Sequence, residues 1–465
     1  MLLLFSLSPI VVIIAGLLLR LRSVYAALLG VLTAVAVSIG YFPIQDWSGT
    51  STWLVVMVEV LLIVGGGLLL AQTLHTSGAQ AQLSHWVHQR TGSGVKGVLL
   101  VVHGVVPFAE SLTGFGIGIT IGIPLLLHMG LEKRKVAAIG LLGLCAIPWG
   151  SMGPGTLVAA KMSGLSFDAL GLASAVFNVV PFVLTGMAAA YIASESGQKA
   201  QAVLMGAVSG LTLAVLVFAA NACFGTAPAG ALAALIMVLG YVFTGRFSEP
   251  QPLPTLAKRA LCSYAVLLLG VLGMGLAYRL GHWSESWRLL ASPGLWLFVA
   301  TAYLSWGMAQ RQAVLRTTWQ NWLRVAPVTA LFIVLGIVMT VSGMAKYLAQ
   351  GLASSGTAYL ALAPSVGALG GYITGSNVGA NAMFAATQSH IAQALQVNVL
   401  WFMAIHNVCA AFLLMASPGK IEMALSLSGL DDAASRRWLM RRMLGVAAAV
   451  VGILTMVNVL LAQLA

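Results

Sequence analysis

Glu110-Ser111-Leu112-Thr113-Gly114-Phe115-Gly116-Ile117-Gly118 interrupts lipid-length apolar sequence with glycines, hydroxyls and one acid. A second interruption, Thr374-Gly375-Ser376-Asn377-Val378-Gly379-Ala380-Asn381, has the same character. Each is followed by a further break: Gly150-Ser151-Met152-Gly153-Pro154-Gly155 after the first, Ala416-Ser417-Pro418-Gly419-Lys420 after the second. Non-helical backbone at membrane depth is tolerated only where protein buries it or a wet cavity lines it. Two such pairs in corresponding places point to the substrate site of a transporter.

The surrounding sequence sets the solvent. The 465 residues are 60% hydrophobic and 7% charged, with a mean hydropathy of +0.97, against roughly 25% charged in soluble domains. Closed barrels use alternating segments of about ten residues, and the apolar runs here are longer. An all-α polytopic membrane protein is expected, with about 12 spans near 2–19, 24–43, 51–74, 136–165, 169–193, 200–221, 226–244, 260–279, 292–309, 325–345, 394–430 and 440–463. The first reads as a retained span, since no basic region precedes it and no clear cleavage site follows. Cys145, Cys223, Cys262 and Cys409 are scattered without CxxC or Cys/His spacing, which argues against disulfides and zinc. There is no P-loop, no nucleophile constellation and no cluster of acids, so neither direct ATP coupling nor a membrane-embedded enzyme is expected, and no cofactor or metal.

Charge gives the topology. Residues 97–130 are too many for one crossing and too few for two comfortable ones, and both flanks are basic: Arg90 and Lys96 before, Lys133, Arg134 and Lys135 after. Such a segment enters and leaves on the cytoplasmic side, as a re-entrant hairpin with Glu110 to Gly118 at its tip. Residues 355–393 form the second such stretch. With the N-terminus outside, only Arg279, Arg288 and Lys346 fall outside and Lys161 and Lys420 fall within spans, leaving the other 18 of 23 basic residues cytoplasmic. The net charge of +12 is then a feature of short loops and not a nucleic-acid footprint.

The same topology inverts the two halves. Thr113-Gly114 and Thr374-Gly375 are 261 apart; Cys145-Ala146 and Cys409-Ala410 are 264 apart, as are Pro154-Gly155 and Pro418-Gly419. The expected organisation is a first repeat over 1–199, connecting spans and a linker over 200–259, and a second, inverted repeat over 260–465, with two re-entrant hairpins and two broken helices. Such a repeat favours alternating access over a channel pore.

At these breaks the sequence resembles the lactate permease family of bacterial organic-acid symporters. The family's EGAAGFG-like run reads Glu110 to Gly116 here, and its TGSDTSSNALFG-like run reads Thr374 to Ala385, with Asn377 at the acidic position. A third run is echoed by Ala404-Ile405-His406-Asn407 and by Ala416 to Ile421, with Lys420 where glutamine is usual; Ile147 to Gly153 matches in kind. The resemblance implies a secondary active transporter of the bacterial inner membrane that imports lactate or a related small 2-hydroxy monocarboxylate by proton symport. Sodium coupling with a different carboxylate substrate is the alternative, and a homo-oligomer is compatible with either.

Anion transport needs donors for a carboxylate and a route for the coupling ion. Broken helices supply unpaired N–H groups and a positive dipole end. Ser111, Thr113, Gly114, Gly116, Ser151, Gly153, Thr374, Gly375, Ser376, Asn377, Asn381, Asn407, Ser417 and Lys420 are therefore the candidate substrate-binding residues. Glu110, Glu59 and His103 are the candidate proton-coupling residues, the two acids because intramembrane acids are functional by default and His103 because histidine titrates near neutral pH. For Glu110 the competing role is a structural carboxylate that accepts backbone N–H bonds at the tip. Lys161 is the other intramembrane cation, and Lys420 could pair with substrate, Glu110, Glu59 or Glu422. His406 lies near the second motif and, like His103, could serve as a helix-interface donor instead. His75, His85 and His88 read as a surface amphipathic helix, Gly65 to Gly67 as close helix packing, and Trp283, Trp287, Trp319 and Trp322 as interfacial anchors.

Overall fold

The computed structural model describes residues 1–44, 47, 50–91, 94–244, 252–281 and 289–464, without the side chains of 50–52, 88, 90, 91 and 279. Arg246, Trp283, Trp287, Arg288 and 245–251 of the expected linker lie outside the described residues, as do the side chains of His88, Arg90 and Arg279. Among the described residues every regular element is helical. Among the described residues nine helices are long and apolar enough to cross a bilayer, or up to 11 if Lys133–Leu142 with Leu144–Met152, and Phe167–Phe177 with Val179–Ala193, each count as one bent span. The chain is a multi-pass membrane protein. Two expected spans, near 2–19 and 292–309, fold as shorter apolar helices, Leu2–Leu18 and Pro293–Ser305.

Both glycine-rich stretches fold as helical hairpins. The first has a span-length leg, Val95–Thr113, and a short one, Ile117–His128. The legs lie against each other closely enough that a Cβ on Gly122 would strike Val101 and Val106. At the tip, Gly114, Phe115 and Gly116 have φ of 74°, 59° and 87°, a left-handed run that two glycines make accessible. The second hairpin pairs Thr357–Thr374 with Asn377–Ala394. Its legs are tied by Gln388 Nε2 donating to the Ala363 carbonyl at 3.0 Å and by Tyr359 donating to Gln388 Oε1 at 3.1 Å.

The two breaks fall where expected. The span near 136–165 is cut at Ser151, Met152 and Gly153, with φ of 50°, 65° and 83°, and restarts as Pro154–Met162. The span near 394–430 runs as Val399–Leu413, loosens over Leu414–Ala416, turns at an extended Ser417 and restarts as Pro418–Leu427. Each restart opens on proline, whose missing N–H has no intrahelical partner to lose at a first position.

The long helices Thr50–Thr76 and Arg311–Val341 cross, with Trp322 Nε1 donating to the Leu61 carbonyl at 3.3 Å. Ser23–Tyr41 packs on Arg311–Val341, and Pro293–Ser305 packs on Thr50–Thr76. Gly65 and Gly66 are packing glycines, set against Trp322 and Leu297, whereas Gly67 lies under the first tip, where a Cβ would come within 2.5 Å of the Thr113 carbonyl. Trp319 is exposed and stacks on Trp322. His75 and His85 are exposed around the helix Ala79–Thr91.

Candidate functional site

Both tips and both breaks meet around one cavity of about 360 Å³. Eight of the expected residues line it: Glu110, Gly114, Ser151, Thr374, Gly375, Ser376, Asn377 and Lys420. Phe115, Pro154 and Gly155 complete the floor, and the exposed residues Ser23 and Arg324 mark its mouth.

Four helices start at this cavity: Ile117–His128, Pro154–Met162, Asn377–Ala394 and Pro418–Leu427. Each presents first-turn N–H groups that the helix cannot satisfy. The first set is taken by Glu110. Its Oε1 accepts from Gly116 N at 2.9 Å, and its Oε2 accepts from Gly116 N and Gly118 N, both at 3.1 Å. The third start is capped by Ser376 Oγ, which accepts from Gly379 N at 3.2 Å. That leaves the two starts at Pro154 and Pro418, the geometry that favours an anion at a helix N-terminus.

Lys420 stands in the first turn of Pro418–Leu427 and reaches across to the first tip. A Cβ on Gly116 would lie 2.5 Å from its Nζ, so glycine is needed here for both the contact and the backbone angle. Glu110 is its charge neighbour, but beyond ion-pair contact. The described ion pairs lie elsewhere: Arg134 with Asp432, and Arg436 with Glu422. Lys420 is thus a partly buried cation on the cavity wall with no carboxylate in contact among the described residues.

Behind the second tip lies a neutral network. Asn407 Oδ1 accepts from Asn381 Nδ2 at 2.9 Å and from Asn377 Nδ2 at 3.2 Å, while Asn407 Nδ2 donates to Thr156 Oγ1 at 3.0 Å and Ser174 Oγ at 3.1 Å. Asn381 Nδ2 also donates to the Gly155 carbonyl at 3.2 Å. The second hairpin is therefore locked to the first broken helix. Asn381 Oδ1 and the hydroxyls of Ser111, Ser151 and Ser417 are buried without a partner.

Several expected residues lie off the cavity. Ser111 is packed toward Gly230 and Trp149. Thr113 Oγ1 donates to the Ala109 carbonyl at 2.6 Å. Gly116 sits beneath Lys420, and Gly153 faces Phe167 and the Pro148 carbonyl. Asn381, Asn407 and Ser417 are buried around it. Glu59 lines a second cavity, of about 370 Å³, which shares only Pro154 with the first. His103 is fully buried away from both, bonded to Ser209 Oγ at 2.8 Å and to the Phe182 carbonyl at 3.1 Å. His406 is buried against Gly367 with neither ring nitrogen partnered, and Lys161, near the end of Pro154–Met162, is partly buried and lines neither cavity.

Sequence reading missed the wall made by Arg324, Val325, Val328, Thr329 and Phe332. Their spacing is one helix face, but Arg324 read as a cytoplasmic loop residue, and the helix in fact extends back to Arg311. Thr156 and Ser174 were also missed; only their contact with Asn407 marks them.

Gly155 tests the closeness of the two halves. A Cβ there would strike the Asn377 side chain, coming within 2.8 Å of its Cβ. Gly155→Ala should destabilise the folded protein by about 1–3 kcal/mol, as overpacking does. Thermal unfolding in detergent would measure this, and Asn377→Gly in the same chain should recover most of the loss. An additive double variant would mean the two residues do not touch.

Known proteins place this arrangement. The family model for L-lactate permease matches residues 3–260 and 282–465. The L-lactate permease of Streptococcus iniae is 24% identical over 431 residues, covering 83% of this chain and 90% of that relative. The L-lactate permease of Salmonella typhi is 30% identical over 137 residues, 29% of this chain and 25% of the relative. The glycolate permease GlcA of Escherichia coli K12 is 32% identical over 123 residues, 26% and 22% respectively. With the family match running through both hairpins and both breaks, the chain belongs to the L-lactate permease family.

Proposed function

We propose that this protein is a secondary active transporter that imports lactate or a related small 2-hydroxy monocarboxylate together with protons. The observation that carries the reading is the cavity between the hairpin tips, where Lys420 and the open helix starts at Pro154 and Pro418 converge. A carboxylate is served by the cation and the N–H groups. A 2-hydroxyl is served by Ser151, Thr374, Ser376 or Asn377, and the family's substrates, lactate and glycolate, have this pair of groups.

The coupling follows from charge. Lys420 has one charge to share between Glu110 and the substrate carboxylate. With substrate bound the cavity holds two carboxylates against one ammonium, and a proton carried in with the substrate balances the charge. Binding the acid anion and binding a proton then go together.

Two inverted halves, 1–199 and 260–465 around connecting spans 200–259, suit this cycle. Trp322 and Leu61 are 261 apart, the offset that relates the two tips. A residue that touches its own repeat mate lies on the axis between the repeats. The exchange of packing between the halves supports the same axis: Ser23–Tyr41 on one long helix, Pro293–Ser305 on the other. Alternating access then moves one half against the other around the tips. The basic loops support an exterior N-terminus in a bacterial inner membrane.

Labelled lactate uptake into proteoliposomes should accelerate when an inward proton gradient is imposed. No gradient-dependent uptake of any 2-hydroxy acid would refute the assignment. Sodium coupling keeps one observation in its favour, the unpartnered buried oxygens of Asn381, Ser151 and Ser417, which suit a hard cation. Replacing sodium by choline in the same assay should leave uptake unchanged; a collapse would favour sodium.

A further inference from the structure

The cavity carries a second cation whose position the transport reading does not use. Arg324 begins the face of Arg311–Val341 that lines the cavity, followed inward by Val325, Val328, Thr329 and Phe332. Phe332 packs on Gly379, beside the second tip. Eight residues of helix separate Arg324 from that level, a rise of about 12 Å. The Arg324 backbone therefore stands about 12 Å along the helix from that level, at the exposed mouth. No described carboxylate pairs with it. Between the two levels this helix face lines the cavity with Val325, Val328, Thr329 and Phe332, and the two cations stand at the two levels.

We propose that Arg324 forms a second, mouth-side carboxylate subsite, which receives the monocarboxylate after it leaves Lys420 and delivers it to the face bearing the basic loops. A guanidinium binds a carboxylate with two parallel N–H bonds, whatever the rest of the molecule is. Its exposure to water makes the subsite weak and sensitive to salt. Weak binding is what a release station needs. The inference rests on the transport reading for its role, and on the cavity alone for the binding.

The test uses the full chain in liposomes and a phenylglyoxal reagent, with modification at each arginine followed by mass spectrometry. Lactate or propionate should slow modification of Arg324 by about fivefold at low salt, with Arg311 and Arg316 on the same helix unaffected. The protection should persist in Lys420→Gln, since the subsite is separate. Equal protection of all three arginines, or none at Arg324, overturns the proposal. Exchange kinetics give the second arm. Arg324→Gln should raise the KM at the mouth-side face by about tenfold and leave the opposite face within about twofold, with Arg324→Lys recovering part of the loss. A symmetric change, or lost protein insertion alone, would assign Arg324 a structural role. Protection at Arg324 in a protein that moves no 2-hydroxy acid would retain the subsite and refute the transport reading instead.

Discussion

Lys420→Gln should raise the KM for the transported monocarboxylate by about 30-fold or more, equivalent to about 2 kcal/mol, the lower end for truncating one partner of a desolvated charge pair. Glutamine removes the charge and keeps a hydrogen-bond donor, on a side chain one bond shorter than lysine. The ammonium rests against Gly116, in the field of Glu110 and at the start of Pro418–Leu427. Without it, the anion retains only backbone N–H groups and neutral side chains. Saturation kinetics in proteoliposomes measure the change, and gel filtration with thermal unfolding checks that the protein is intact. A folded variant with a KM within about threefold of wild type would remove Lys420 from the site. Replacement should also remove the link between proton and substrate. Residual uptake in the variant should respond less steeply to the proton gradient than wild type does.

The sequence located the four backbone breaks well because nothing else explains glycine, proline and hydroxyl residues clustered in apolar runs. Their convergence was legible in part: the near-constant offset of 261 to 264 paired the two hairpins, and both tips line one cavity. What sequence could not give is helix rotation. In water, an apolar stripe shows which face of a helix is buried. In lipid the outward face is apolar too, and that signal fades. Glu59, His103 and Ser111 therefore read as site candidates although Glu59 belongs to another cavity and the other two point into helix contacts. Arg324 shows the reverse case. Its charge was fully accounted for by topology, so its place on the cavity wall went unnoticed. Lys420 over Gly116 and Gly155 against Asn377 are contacts between the two halves, which no local pattern encodes.

Glu110→Gln should abolish net, gradient-driven uptake while leaving counterflow exchange within about twofold of wild type. The reason lies in how the carboxylate is held. Glu110 is 3% exposed. Gly116 N is shared between both oxygens, and Oε2 alone lies 3.1 Å from both Gly116 N and Gly118 N. A proton on Oε1 therefore strands no backbone donor, and the tip keeps its shape in either protonation state. Glutamine matches the protonated form in charge: its carbonyl oxygen takes the place of Oε2 and accepts from Gly116 N and Gly118 N, while its amide nitrogen, a donor only, gives up the Oε1 contact with Gly116 N. The variant is a carrier fixed in the loaded state, able to exchange substrate but unable to release a proton. Glu110→Ala separates this role from the structural one. It leaves the Gly116 and Gly118 N–H groups buried without an acceptor, at about 1–3 kcal/mol each. Both uptake and exchange should fall in that variant, together with its unfolding temperature. If Glu110→Gln loses exchange as completely as Glu110→Ala while remaining folded, the carboxylate serves the tip or the substrate, and the proton travels by another group.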